Sequence, residues 1–193
     1  MGVYVVSVGA EEWFDLEEDG WGQVAAGINA ELGRRGRLPY MDVPPATDFA
    51  AGSGQDFEEK LSRPMTGFFA LCRTYLSREE SETLCGWSVL VPISLDEAIW
   101  LPIESGDYDS PVVGAPQVLP LAEKLAAAIE LPPETPGTCD NLDLSMWFRD
   151  QAGEWVATRT GLWSADLDAA YYVALFLRAA QHSIRRGCPV VFT

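Results

Sequence analysis

Residues 164–188, with the sequence SADLDAAYYVALFLRAAQHSIRRGC, contain the strongest helix signal in the chain and its single histidine. Ser164 can cap the first free backbone N–H groups, and two aspartates in the first turn complement the positive end of the helix dipole. Two arginines fall in the last turn, and Gly187 suits the left-handed conformation that ends many helices. These signals predict a helix over about 165–186.

Apolar residues repeat along this helix at steps of three and four, which is typical of a face packed against a core. They are Ala169, Val173, Phe176, Leu177, Ala180 and Ile184. We expect this stripe to lie on a β-sheet. Tyr171, Arg178 and His182 share a second face and combine a hydroxyl, a fixed charge and a titratable ring. That face is either the wall of a small-molecule pocket or a structural face on which the arginine neutralises a carboxylate of the fold.

The composition is that of a folded chain. Hydrophobic residues make up 48% of the 193 positions, and 7 Trp, 6 Tyr and 8 Phe supply large side chains for a core. A chain of this length can bury a sizeable core, and no internal repeat divides it. We therefore expect one globular domain over residues 1–193.

The charge balance is strongly acidic, with 29 Asp and Glu against 13 Lys and Arg and a net charge of −16. Such a surface repels nucleic-acid phosphates and anionic lipid, which makes nucleic acid and membranes poor partners. A basic protein would be attracted, although the charge can also serve solubility alone. All bases except Lys60 and Lys124 are arginine, a bias typical of a GC-rich bacterial genome.

The four cysteines, Cys72, Cys85, Cys139 and Cys188, show no metal-ligand spacing. Cys72 and Cys188 fall in apolar segments, as core thiols do. The chain begins MGVYVVSVGAEEW, without a basic leader or a long apolar run. These features predict a reduced, cytoplasmic protein that holds no metal and no other cofactor.

Residues 11–19, with the sequence EEWFDLEED, form an acidic run interrupted by Trp13, Phe14 and Leu16. One interpretation is a solvated loop whose aromatic side chains dock on the core. The other is an acidic and aromatic patch that binds a basic partner, because a cluster of like charges repels itself and gains from a cation.

A second acidic segment, residues 104–109, has the sequence ESGDYD. Glu104, Asp107 and Asp109 could bind a hard cation, but the alternation of a calcium-binding loop is not met. An ordinary turn is the favoured interpretation. In the small-molecule hypothesis these three acids would stand opposite the second face of the C-terminal helix.

The remaining patterns complete an α+β prediction of about six helices packed on a small mixed sheet of four to five strands, with the helix over 165–186 at its centre. The expected strands are 3–8, 87–93, 98–103, 154–159 and 189–192, and the second and third of these should form a hairpin. Residues 141–152 fit either a helix or a strand, and the helix is slightly favoured. Ser77 and Glu80 have the spacing of a capping box, which predicts the start of a short acidic helix. The last strand should be central in the sheet.

No catalytic motif emerges from the sequence. His182 and Cys188 are the one Cys–His pair close together in the chain, and their spacing carries no catalytic geometry. The first hypothesis is therefore a non-enzymatic protein of a bacterial cytoplasm that binds a protein partner through an acidic and aromatic surface. An enzyme or small-molecule binder with its pocket at Tyr171, Arg178 and His182 is the second. A structural subunit of a larger assembly is the third.

Overall fold

The computed structural model describes residues 2–17, 20–102 and 109–193. Within these ranges the helices are α1 (Ala10–Trp13), α2 (Gly22–Arg34), α3 (Thr66–Tyr75), α4 (Arg78–Cys85), α5 (Ala115–Ala128), α6 (Asp143–Asp150), α7 (Ala152–Val156), α8 (Leu162–Ala165) and α9 (Leu167–Arg186). The strands are β1 (Val3–Ser7), β2 (Glu58–Leu61), β3 (Val89–Val91), β4 (Ile99–Pro102), β5 (Asp109–Gly114) and β6 (Val190–Phe192). The α+β class is confirmed, with more helices and more strands than the sequence predicted.

The six strands form one mixed sheet in the order β2-β1-β6-β3-β5-β4. Strands β3 and β5 run parallel, and the other neighbours are antiparallel. β6 lies between β1 and β3, so the central position expected of the last strand is confirmed. Proline is confined to the edge half of the sheet: Pro111 on β5 pairs with Trp100 on β4, and Pro102 ends the edge strand.

The predicted hairpin of 87–93 with 98–103 is wrong, because β5 lies between β3 and β4 and pairs with both. β5 was missed because its first half is polar and contains a proline. β2 was missed for a similar reason, since its sequence EEKL shows no apolar alternation. The predicted strand over 154–159 is also wrong: Ala152–Val156 is helical.

Residues 141–152, left open between helix and strand, fold mainly as α6. Its inward face is fully or nearly fully buried at Leu144, Trp147 and Phe148. The helix ends at Gln151, where the chain turns into α7. The slightly favoured helix is therefore confirmed.

The two faces of the sheet carry separate cores. On one face α2 packs through Ile28 and Leu32 against Val89, Val91 and neighbouring strand residues. On the other face α9 is the central helix and packs against α3, α5, α6 and β3. In the part of the chain that the structure describes, no helix combines the length and apolar composition that a membrane crossing needs.

The ends of α9 agree with the prediction except at its cap. The Oδ1 atom of Asp166 accepts a hydrogen bond from the Ala169 N–H at 3.0 Å, so Asp166 and not Ser164 is the N-cap. The Ser164 hydroxyl donates instead to the Gly161 carbonyl. Gly187 adopts the expected left-handed conformation, with a φ of 71°.

Burial extends further along α9 than the sequence indicated. The sequence predicted one apolar face, yet His182 on the second face is only 2% exposed. Ile184, expected in the apolar stripe, is 40% exposed. The reason is that helices and loops cover α9 from several sides, so its periodicity alone does not define its buried face.

Candidate functional site

Tyr171 and Arg178, predicted to wall a pocket, use their polar atoms to hold α9 to the rest of the fold. The fully buried Tyr171 donates its hydroxyl to the Lys60 carbonyl on β2, at 2.6 Å. Arg178 donates to the carbonyl oxygens of Thr135 and Pro136, at 3.0 and 2.7 Å. The arginine therefore satisfies backbone carbonyls, and the carboxylate partner expected for it is wrong.

His182 lies in a buried, positively charged environment. Its ring packs against Phe57 with the ring centres 5.5 Å apart, and its Nδ1 atom is 3.5 Å from Nη2 of Arg185. Burial, with the charges of Arg185 and Arg186, lowers the pKa of His182 to about 3. The imidazole is therefore neutral at neutral pH.

A buried carboxylate lies close to Tyr171. Glu59 is fully buried on β2, and burial raises its pKa to about 7. Such a value is typical of functional carboxylates, but structural networks produce it too. Here the carboxylate accepts hydrogen bonds from the N–H groups of Leu144 and Ser145, which start α6. Glu59 is thus a cap supplied from a distant strand.

The first acidic run divides between core and surface. Trp13 is completely buried and Phe14 is half-buried against the same core. Their docking on the core agrees with the first of the two interpretations, and Trp13 is not available to a partner. Glu11 and its acidic neighbours up to residue 17 are exposed, whereas residues 18 and 19 lie outside the described residues.

The second acidic segment is described only at its end. Glu104 and Asp107 lie outside the described residues, so their predicted place opposite α9 stays a prediction. Asp109 is the first residue of β5 and pairs with Pro102, so it lies in a strand and not in the expected turn. Among the residues that the structure does describe, His, Cys, Asp and Glu form no group that could hold a metal ion.

A cavity of about 400 Å³ opens between α4 and the edge of the sheet. Its floor is the sheet face that carries Trp100, Pro111 and Val113, and its walls are α4 and the segment 94–98. We call it the acidic groove and define it by Glu79, Glu82, Asp96, Glu97 and Trp100.

The acidic groove combines four carboxylates with an exposed indole. Trp100 is 63% exposed, and the described residues that line the groove include no Lys, Arg or His. Glu82 pairs with Arg78 at 2.7 Å, but this pair is highly exposed and therefore weak. The carboxylates of Glu79, Asp96 and Glu97 form no ion pair with any other described residue.

The segment 94–98 is held at both ends. From α5, the Gln117 side chain accepts a hydrogen bond from the Leu95 N–H at 3.1 Å and donates to the Ser94 hydroxyl at 2.6 Å. From α2, Arg35 donates to the carbonyl oxygens of Glu97 and Ala98, at 2.9 and 3.3 Å. The acids at 96 and 97 are thus presented by a fixed segment.

The wall formed by α4 is held as well. Ser77 and Glu80 form the capping box that the sequence pattern indicated, with hydrogen bonds of 3.1 and 2.7 Å. Glu80 also pairs with Lys124 of α5, at 3.1 Å. Both walls are therefore in place before any ligand arrives, which reduces the ordering cost of binding.

Three further cavities lie elsewhere on the molecule. One of about 640 Å³ lies between α3 and α4, beside Cys72 and Cys85. Another, of about 540 Å³, is formed by residues 37–42 and Ile93, and a small one of about 110 Å³ adjoins Arg186. None of these four cavities is lined by the predicted residues of the second face of α9.

The sequence predicted α4, which is one wall of the acidic groove, but it did not predict the groove itself. The capping box predicted α4, and period-two alternation predicted β4. β5 lies between β3 and β4, and its pairing with β4 places Trp100 on the side of the sheet where α4 lies. No local sequence pattern indicates the pairing of β5 with these two strands. Asp96 and Glu97 did not stand out as candidate site residues, because two acids are not distinctive in a chain that contains 29.

Comparison with known proteins gives no match. No protein-family model matches the chain, and searches of the curated proteins and of the solved structures find nothing similar. Function is therefore inferred from the geometry and the charge of the molecule alone.

Proposed function

We propose that the protein is a non-enzymatic binding protein of a bacterial cytoplasm, and that the acidic groove receives a basic segment of a partner protein. One observation carries the proposal. Four acidic residues and an exposed tryptophan line one cavity, whose described lining includes no basic side chain. The net charge of −16 supports it, because a basic partner is attracted over a distance.

The chemistry of the groove suits arginine or lysine. A carboxylate accepts hydrogen bonds from a guanidinium in a bidentate fork, and an indole face attracts the same cation. Because Trp100 and the acids Glu79, Asp96 and Glu97 line the same cavity, it offers both kinds of contact to a basic side chain of the partner. A cavity of about 400 Å³ accepts a few side chains and not a folded domain, so a flexible or protruding segment fits best.

The same lining favours binding over catalysis. No cysteine, serine or histidine is among the described residues of the groove, so a Ser–His or Cys–His arrangement is absent from that lining. The three residues of the second face of α9 hydrogen-bond to the fold or lie buried within it. These observations support the binding hypothesis over the small-molecule alternative.

The test is the binding of a fluorescein-labelled peptide of alternating arginine and glycine, measured by anisotropy at low salt. The triple variant Glu79→Gln, Asp96→Asn, Glu97→Gln removes three groove charges. The matched control Asp48→Asn, Glu123→Gln, Glu154→Gln removes three exposed charges elsewhere. We expect the groove variant to bind about tenfold more weakly, equal to roughly 1.4 kcal/mol, and the control to bind almost as the wild type does.

Equal losses in the two triple variants would overturn the proposal. That result would mean that the peptide responds only to net charge, because the two variants carry the same one. Circular dichroism of both variants shows whether each keeps its fold.

A further inference from the structure

Two thiols meet between α3 and α4. Cys72 on α3 and Cys85 at the end of α4 place their Sγ atoms 3.8 Å apart. Their separation in the sequence is 13 residues, so no short motif indicates the contact. The turn between the two helices brings the thiols together, and neither sulfur is bonded to another.

A cavity of about 640 Å³ opens directly onto the pair. Both cysteines line it, together with the apolar side chains of Phe69 and Leu76 and the arginines Arg73 and Arg78. Cys85 is half-buried, whereas Cys72 is only 2% exposed. A reagent of small size can therefore reach the sulfurs from solvent through this opening.

The pair differs chemically from the other two cysteines. The hydrogen bond between the two thiols lowers the pKa of Cys72, and the charge of Arg73 acts in the same direction. Burial raises the pKa of Cys188 to about 11 and raises that of Cys139 as well. Because the thiolate is the reactive form, this environment favours reaction at Cys72 over Cys139 and Cys188.

We propose that Cys72 and Cys85 form a dithiol that a hydroperoxide oxidises to an intramolecular disulfide. The Cys72 thiolate attacks one peroxide oxygen, the O–O bond breaks, and for hydrogen peroxide the departing hydroxide is protonated to water. The Cys72 sulfenic acid that results is attacked by the sulfur of Cys85. The S–O bond breaks, a second water leaves, and the S–S bond forms. Two electrons pass from the thiols to the peroxide, and two waters leave.

The geometry allows the bond with a small movement. The sulfurs must approach from 3.8 Å to roughly 2.05 Å. Cys85 is the last residue of α4 and is followed by Gly86, so the helix end can shift without disturbing a following helical turn. The disulfide would tie α3 to α4, which is also one wall of the acidic groove.

The test uses the full chain in its native state. The folded protein is treated with hydrogen peroxide and then unfolded in urea, its remaining thiols are alkylated with iodoacetamide, and the intact mass is measured. We expect the loss of two hydrogen atoms, two alkylated cysteines instead of four, and full reversal by dithiothreitol. Trypsin cuts after Arg73 and Arg78, so Cys72 and Cys85 fall on separate peptides that only the disulfide joins.

Two variants sharpen the result. In Cys85→Ser we expect oxidation to stop at a Cys72 sulfenic acid that dimedone traps, whereas Cys188→Ser should form the linked peptide as the wild type does. A linked peptide that contains Cys139 or Cys188, or a gain of oxygen without a link, would overturn the proposal. The peptide map of the wild type decides the question even where a variant fails to fold, and its outcome does not depend on what the groove binds.

Discussion

The carboxylate of Glu59 accepts hydrogen bonds from both the backbone N–H and the hydroxyl of Ser145, at 3.1 and 2.8 Å. The Leu144 N–H donates to the same carboxylate at 2.6 Å. A side chain on β2 thus satisfies the free N–H groups of the first turn of α6. The Tyr171 hydroxyl lies 3.2 Å from Ser145 Oγ, so strand, short helix and central helix meet in one polar cluster.

This cluster predicts a dependence of stability on pH. Burial raises the pKa of Glu59 from 4.5 to about 7, so the folded chain keeps a proton there that the unfolded chain releases. The stabilisation is complete below pH 4.5 and is lost as the pH rises through 7, by roughly 3 kcal/mol in total. In Glu59→Gln this part of the pH dependence should vanish. Urea unfolding of both proteins at pH 5 and 8 measures it, and parallel changes in the two would contradict the assignment.

His182 should give the opposite dependence of stability on pH. Its pKa is lowered from 6.5 to about 3, so between these two pH values the unfolded chain binds a proton on His182 and the folded chain does not. The stabilisation is complete above pH 6.5 and falls as the pH drops towards 3, with roughly 2–3 kcal/mol lost by pH 4.5. The variant His182→Gln should lose less stability than the wild type between pH 6.5 and 4.5. An identical slope for both proteins would show that the histidine is accessible to protons in the fold.

The cap of α9 can be tested by two substitutions. Asp166→Ala removes the side chain that accepts from the Ala169 N–H and should lower the free energy of unfolding by about 1 kcal/mol. Asp166→Asn keeps an acceptor and should cost less. Ser164→Ala serves as the comparison, because the Ser164 hydroxyl bonds to Gly161 outside this helix. A larger loss of stability in Ser164→Ala than in Asp166→Ala would contradict this assignment and favour Ser164 as the cap, as the sequence predicted.

A substitution at Gly187 measures the free-energy cost of placing a side chain on a left-handed backbone. Its φ is 71°, and an added Cβ would meet no atom within 4 Å, so strain is the only penalty of Gly187→Ala. We expect a loss of about 1 kcal/mol. Gly33, near the end of α2, is equally open but has an ordinary helical conformation, so Gly33→Ala should leave stability unchanged or raise it. Thermal unfolding of the two variants gives the comparison.

The acidic groove predicts a defined response to salt and to loss of its indole. Affinity for the arginine–glycine peptide should fall as sodium chloride is raised, because exposed charges are screened. Trp100→Ala should weaken binding about two- to fivefold, the size of an exposed cation–π contact. Phe49→Ala, a loop aromatic with 59% exposure against 63% for Trp100, should have little effect. Affinity that is independent of salt, or equal for the two variants, would contradict the proposed mode of binding.

Much of α9 and α4 could be predicted because their signals are local. A cap, a dipole-compatible charge and a terminal glycine act over a few residues, so Gly187 and the Ser77–Glu80 box were found where the sequence indicated them. The error at Ser164 has the same origin. Two residues within one turn could each cap the helix, and the local pattern does not separate them.

The site depended on pairings between distant parts of the chain. Trp100 and Pro111 are partners across two strands whose sequences show no alternation in common, and Cys72 meets Cys85 only because α4 folds back along α3. Tyr171, Arg178 and His182 resembled a binding face because helical periodicity gives the direction of a side chain but not what covers it. Burial is decided by the elements that pack there, which the face itself does not encode.

By itself, the sequence determined the α+β class, the long C-terminal helix and the strongly acidic character of the molecule, because composition and short-range periodicity are sufficient for these. Only the tertiary structure decided the strand order, the burial of Trp13 and His182, and the presence of four acidic residues and Trp100 in the lining of one cavity. The physical reason is that hydrogen bonds between strands and desolvation of side chains depend on residues far apart in the chain.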